Sequence, residues 1–408
     1  MRRSGRAGAA CLLGALLVSA SLCGAAPTEP PRSEPSGGAA TRAIRFYQAQ
    51  LSALRLGHCR FAPSCSQYAL EAIQAYGPIV GSARAADRLM RCNRSAHFYY
   101  AASSGGRLDD PVGTESTGPL RPEVPAWLLP PPAPDPTPER SDTSEAMARK
   151  LDRLLEVKSF AASLAAGGDC ERAATEYRRA AFLAGGDSWR RWARLRAGDC
   201  YFANREWSLA EKEYQAAAML GDSAARGAAC TMAAACRFDR GDPGGCEALL
   251  HRCSQNLPDQ LGLLGLCRMA RGSWDGAQAR FAQAATAAQD SLERARFERL
   301  ADWSGRGRSL PRKRPGLATA SSILVPGSGQ IYAGRAGDGF RHLVFNGALI
   351  WTIVSLARDH RWPAAYLVAG LELPFYLGNV MGAGRATRES NAATRLRHVA
   401  RALEDAER

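Results

Sequence analysis

Cys59, Cys65 and Cys92, with His58 and His97 close by in the chain, are the residue types and spacings best suited to metal binding or thiol chemistry. Thiolate and imidazole are the ligands zinc prefers, but a Cys-x5-Cys spacing is looser than the usual zinc turn and no fourth ligand is evident. No metal is expected there. Without one, two of the three sulfurs would pair as a disulfide in an oxidising compartment, or all would stay as packed free thiols in a reducing one. Other reactive patterns are missing. The sequence has no Ser-His-Asp order, phosphate loop, His-Glu-x-x-His or dinucleotide fingerprint, and its six histidines are scattered. The expectation is a non-enzymatic chain with no catalytic residue and no cofactor.

The elements that must position these cysteines are helical. Ser64 followed by Gln67 forms a capping box, and Pro63 disfavours helix upstream, so a helix should start at Cys65. Cys65, Tyr68, Ala69, Ala72, Ile73 and Tyr76 then recur on one apolar face, and Gly77-Pro78 stops it. Pro78 can open a second helix, running to about Cys92 with Ile79, Ala83, Ala86, Leu89 and Met90 facing inward. Upstream, Ile44, Tyr47, Leu51 and Leu54 give a third amphipathic helix.

The run Cys59-Arg60-Phe61-x-Pro63-Ser64-Cys65-Ser66-x-Tyr68 is followed by Glu71-Ala72-Ile73, Tyr76-Gly77, Gly81, Arg91-Cys92 and Asp110-Pro111-Val112. This pattern resembles the YidD family of membrane protein insertion efficiency factors, over roughly residues 42 to 113. After Cys92 the chain departs from it, with Asn93-Arg94 where the family has a short proline-containing turn. The resemblance implies a small basic helical module at the bacterial inner membrane, beside the insertion machinery and its client membrane proteins, with no reaction attached.

The composition agrees with a polyanionic surface as partner: Lys+Arg 53 against Asp+Glu 39 give a net charge of +14. Nucleic acid is not expected, since no zinc-finger spacing, RNA-recognition signature or lysine block occurs. Within the module, Arg42, Arg45, Arg55, Arg60, Arg84, Arg88, Arg91 and Arg94 face only Glu71 and Asp87. Anionic lipid is therefore expected to bind through Arg42, Arg45, Arg84, Arg88 and Arg91, at about 1 kcal/mol per well-placed basic residue.

Around the module, residues 1–26 read as a signal sequence: Arg2, Arg3 and Arg6, an apolar run, then Cys23-Gly24-Ala25-Ala26. Leu22 is too large for a lipoprotein site at Cys23, so simple cleavage near Ala25 or retention as an anchor is expected. A proline-rich linker spans 114–143, and its apolar spot, Trp127-Leu128-Leu129, either docks on a neighbouring domain or has no role. From 144 to 302 an aromatic/alanine pattern repeats: Trp207, Ala210, Tyr214, Ala217 and Trp274, Ala277, Phe281, Ala284. Weaker copies start at Cys170 and Pro243. The copies are spaced 37, 36 and 31 residues apart, near the ~34-residue tetratricopeptide period. Cys200, Cys236 and Cys267 precede the last three copies as small core residues. A helical solenoid that binds an unidentified partner protein is expected.

Residues 315–384 read as a membrane hairpin, with spans near Gly339–Ala357 and Pro363–Gly382. Before them Pro326-Gly327-Ser328-Gly329-Gln330-x-Tyr332 resembles a motif of small bacterial transmembrane-hairpin proteins. It permits a re-entrant turn only if protein covers the freed backbone groups. Asn346 and Glu372 should face each other or a partner. The tail 385–408 is expected as a polar helix at the membrane surface. The fold expected is all-α, and the function is assistance to insertion or assembly of membrane proteins at the inner membrane. An envelope scaffold and a membrane-perturbing or lipid-modifying protein are the rivals. The signal sequence favours an exported module and repeats, whereas the arginine-rich flanks of the hairpin favour the cytoplasmic side.

Overall fold

The computed structural model describes residues 38–51, 59–102, 106–113, 122–136, 145–220, 223–253 and 256–408. The expected signal sequence, Leu54, Arg55 and His58 lie outside the described residues, as does much of the expected linker. In chain order the helices are α1 (Ala39–Phe46), α2 (Cys65–Arg91), α3 (Glu145–Ala166), α4 (Cys170–Leu183), α5 (Asp187–Ala203), α6 (Trp207–Ala218), α7 (Ser223–Asp239) and α8 (Pro243–Cys253). They continue as α9 (Pro258–Arg271), α10 (Trp274–Ala287), α11 (Ser291–Gly307), α12 (Pro315–Leu324), α13 (Ser328–Ala333), α14 (Ala336–Arg358) and α15 (Trp362–Glu407). Two strands of two residues, β1 (Phe61–Ala62) and β2 (Leu108–Asp109), pair in parallel, Phe61 with Leu108 and Ala62 with Asp109. The all-α expectation holds.

Two compact units divide the chain: one comprises residues to Leu120 and Pro311–Thr394, the other Arg121–Leu310 and Arg395–Arg408. In the second unit α3 to α11 stack, each packed on the next. Helices α4, α6, α8 and α10 begin at Cys170, Trp207, Pro243 and Trp274, the first positions of the four repeat copies. The preceding helix gives way to the aromatic of each strong copy. A Cβ on Gly198 would stand 2.6 Å from the Tyr214 ring, and one on Gly265 2.7 Å from Phe281. Cys200, Cys236 and Cys267 are buried in this core.

An ion clamp repeats with the helices. Glu211 of α6 pairs with Arg237 of α7 and with Arg240 just beyond it, at 2.6 and 3.3 Å, and Glu247 of α8 pairs in the same register with Arg268 and Arg271. The sequence pattern did not expose it, nor the Cys230–Cys253 disulfide.

Of the two alternatives for the apolar spot within 122–136, docking is the one found: Val124 and Leu128 are buried in the repeat core, and Trp127 meets Phe297 edge-on at 5.7 Å. The expectation for the tail, by contrast, is corrected: it is not a free surface helix. Leu396, Val399, Ala402, Leu403 and Ala406 are buried in the same core. His398 lies between the Trp274 and Trp303 rings, at 5.5 and 5.1 Å, and Trp303 donates to Asp405 at 2.9 Å. An amphipathic helix bears the same spacing whether its apolar side meets lipid or protein, so the pattern alone did not separate the two.

Candidate functional site

The first unit is organised by α2. Ser64 caps it, accepting from the Gln67 amide at 3.3 Å. The capping box is only half closed, because the Gln67 side chain reaches Glu71 instead. At Gly77 the backbone adopts φ 78°, which glycine tolerates, and Pro78 follows. There α2 folds back on itself: a Cβ on Gly81 would lie 2.5 Å from the Ile73 backbone. The expected stop and restart at Gly77-Pro78 thus form a tight helical hairpin that returns Cys92 to Cys65.

Three sulfurs converge as a result. Cys59 Sγ stands 3.4 Å from Cys65 Sγ and 3.8 Å from Cys92 Sγ, and all three lie within 4.8 Å of one another. The Cys65 amide donates to Cys59 Sγ at 3.2 Å. Hydrogen bonding with Cys65 and Cys92 holds the Cys59 thiol below its ordinary range and pushes Cys65 above it. His97 turns its Nδ1 to the Arg94 carbonyl, away from any ligand role.

Beside the sulfurs lies a buried ion network. Arg88, fully buried, donates to the carbonyls of Asp110 and Pro63 at 2.8 and 2.7 Å. Its guanidinium stacks over Tyr68 and Phe61 at 4.3 and 4.5 Å. Arg91 donates to Asp87 at 2.9 Å, to Asp110 at 3.0 Å and to Tyr100. The apolar-helix segment enters the same network. Arg385 of α15 reaches Asp110 Oδ1 and Glu389, the latter at 2.8 Å, while Arg335 joins Glu389 at 2.7 Å and Tyr100 at 3.1 Å. Burial alone would raise the Asp110 carboxyl. Arg91, Arg385 and Arg88 outweigh it and hold the group at about 2.

The helices behind this seam are built for close approach. A Cβ on Gly378 of α15 would sit 2.6 Å from the Ala83 carbonyl, and one on Gly382 2.1 Å from Asp87. Asn93, just past α2, donates to Asp338 of α14 at 3.0 Å. In the Pro326–Gly334 turn the backbone at Gly327 and the Gln330 side chain are handed to neighbours, while Ser328 Oγ is buried with no partner among the described residues. Gly327 N–H donates to Asn379 at 2.8 Å, Gln330 to the Asn379 carbonyl at 2.8 Å, and Asn379 to the Ser322 carbonyl at 3.0 Å.

Outside this seam α14 and α15 are apolar and exposed. Phe340, Val344, Trp351, Trp362, Tyr366, Leu367 and Leu371 all face outward. Both helices are long and apolar enough to cross a membrane. The expected pairing of Asn346 with Glu372 is not found. Asn346 donates to His342 one turn back in its own helix, at 2.7 Å, and neither Glu372 carboxylate oxygen has a hydrogen-bond partner among the described residues.

Among the residues singled out from the sequence, Cys59, Phe61, Tyr68, Arg91 and Asp110 are buried. Pro63, Ser64, Cys65, Ser66 and Cys92 are half-buried, and Arg60 and Pro111 are exposed. Of the proposed lipid-binding arginines only Arg42 and Arg45 are exposed. Arg84 is half-buried over the Tyr76 ring at 4.0 Å. Arg88 and Arg91 are spent on internal carboxylates and carbonyls, so their assignment to a membrane surface is corrected. Sequence reasoning missed Arg335, Arg385, Glu389 and Asn379. The Arg385/Glu389 spacing of four was the available signal.

A cysteine- and arginine-rich helical hairpin seated on two apolar helices defines a membrane-associated helical protein. Residues 38–101 match the YidD family model, described as "Putative membrane protein insertion efficiency factor". A relative of that name from Marinobacter nauticus is 47% identical over 66 residues, covering 68% of its length and 16% of this chain. Those from Clostridium beijerinckii and Moorella thermoacetica are 52% identical over 52 residues and 57% over 51, covering 75% and 73% of their lengths. The chain belongs to the YidD family through this segment. No solved structure matches.

Proposed function

We propose that the protein is a non-enzymatic, membrane-bound factor that assists insertion or assembly of membrane proteins, working beside the insertion machinery. The observation that carries this reading is the seating of the family module, through Asp110, Arg385 and Gly378, on helices whose outer faces are apolar. Module and apolar helices form one compact unit, so the module is held at the membrane rather than tethered to it. Exposed Arg42 and Arg45 on α1 supply the contact with anionic lipid. The module and repeats stand on the exported side in this proposal, and an impermeant thiol reagent acting on a cysteine introduced at Ser116 tests that placement. The leading experiment places a photo-crosslinking residue at Arg60 in intact membranes. Capture of membrane proteins during their integration supports the reading, and capture of none of them refutes it.

A second reading, an envelope scaffold, draws on the repeat unit. An open depression of about 590 Å³ there is lined by Asn256, Leu261, Arg280, Ala282, Gln283, Thr286 and Ala287, suited to a short peptide segment that offers an apolar side chain. Crosslinks confined to Arg280, with none from Arg60, would favour the scaffold.

A further inference from the structure

The fold-back at Gly77-Pro78 brings the two ends of α2 together, so that Cys65 in its first turn meets Cys92 just beyond its last. Cys59, leading into β1, completes the set. Three thiolates around zinc, each at about 2.3 Å, stand about 3.8 Å apart along the edges of a tetrahedron. The observed separations of 3.4 and 3.8 Å match two edges within a few tenths of an ångström, and the third pair lies within 4.8 Å. A disulfide would use two of the sulfurs and strand the third. We propose that Cys59, Cys65 and Cys92 bind one thiophilic cation, zinc(II) or copper(I), the cations soft thiolates select.

Local chemistry favours the anionic sulfurs such a site needs. The Cys65 amide already donates to Cys59 Sγ at 3.2 Å. Cys65 opens α2, so its sulfur sits in the first turn beside that of Cys59. Arg88, bonded to the Pro63 carbonyl within the Cys59–Cys65 loop, adds a buried positive charge. Each thiol still protonated releases its proton to solvent as its sulfur–metal bond forms, and no electron is transferred. Three sulfurs complete a trigonal copper(I) site; zinc takes one further ligand from solvent.

The cation would fix the lead-in to β1 and both ends of α2 at one point. Asn93, next to Cys92, holds Asp338 of α14 at 3.0 Å. Occupancy would therefore stiffen the seam between the module and the first apolar helix, which no pairwise sulfur contact achieves.

The test uses the full chain in detergent micelles, reduced with a non-thiol phosphine. Elemental analysis after zinc or copper(I) loading and desalting should find about one equivalent of one of the two. Cobalt(II) should give the near-ultraviolet charge-transfer band of thiolate ligation. Cys65→Ser and Cys92→Ser should each weaken binding by at least about 100-fold, beyond the range for disturbing an outer-shell partner. Cys170→Ser, in the repeat unit, should leave it unchanged. Should the serine variants misfold, the unmodified chain still decides: zinc or copper(I), and not magnesium, should slow alkylation of all three cysteines at least about tenfold. No retained cation with unprotected thiols would overturn the proposal, as would a cobalt band that survives in a well-folded Cys65→Ser chain.

Discussion

Asp110→Asn tests the seam most directly, because this one carboxylate receives Arg88, Arg91 and Arg385 with no exposure to solvent. Its carboxyl is held at about 2, against about 3.9 for an unperturbed aspartate, a difference worth about 2–3 kcal/mol at neutral pH. Since the folded value is the lower one, that contribution is present above pH 4 and is lost as pH falls through 2. Asparagine keeps an acceptor but leaves three buried guanidiniums sharing only Asp87 and Glu389, and breaking a buried pair in this way costs about 3–5 kcal/mol. Hydrogen exchange of the α2 amides in detergent micelles reads this unit without interference from the repeats. Asp110→Asn should lower their opening free energy by about that amount. Arg385→Gln in the same background should add much less than it costs alone, a coupling of at least about 1 kcal/mol. A cost below about 1 kcal/mol, or strict additivity with Arg385→Gln, would refute the idea that this network binds module to apolar helices.

Other expectations are as specific. The Tyr68 hydroxyl is buried without a partner among the described residues, so Tyr68→Phe should leave α2 exchange unchanged or slower, whereas Tyr68→Ala removes the ring under Arg88 and should cost about 3–5 kcal/mol. Equal damage from both would point to a role for the hydroxyl. Gly378→Leu should drive α15 from the Ala83 carbonyl, seen as faster proteolysis of the module at unchanged repeat stability; an unaffected module would contradict the close approach. In the repeat unit, burial raises Asp239 to about 7 although the Val124 amide donates to it at 2.8 Å. Its folded value lies above the unfolded one, so the stability it contributes at low pH is lost as pH rises from about 4 to 7. Asp239→Asn should remove that slope and gain up to about 4 kcal/mol at pH 8; a pH profile that keeps its slope would count against the assignment.

The helix boundaries were legible because local rules set them. Ser64 caps, Gly77 takes a positive φ, and the repeat aromatics fall at the starts of α6 and α10. The seam was not legible, because it joins Asp110 to Arg385 across 275 residues, and no spacing rule reaches that far. The same blindness bears on topology. Arginines at 306–314 and 385–401 read as positive flanks of a membrane hairpin, yet some of them are engaged within the fold. Arg385 is buried against Asp110 and Glu389 and Arg395 donates to the Ala270 carbonyl, whereas Arg306 and Arg308 make exposed pairs with Asp302 and Asp275. A flank arginine biases orientation by its charge next to the bilayer, before folding has spent it. Those held in the folded chain have a structural reason to be where they are, so their number is a weaker guide to orientation than the same count on a free loop. Thiol labelling at Ser116 therefore decides the sidedness of the module, which the arginine count alone does not.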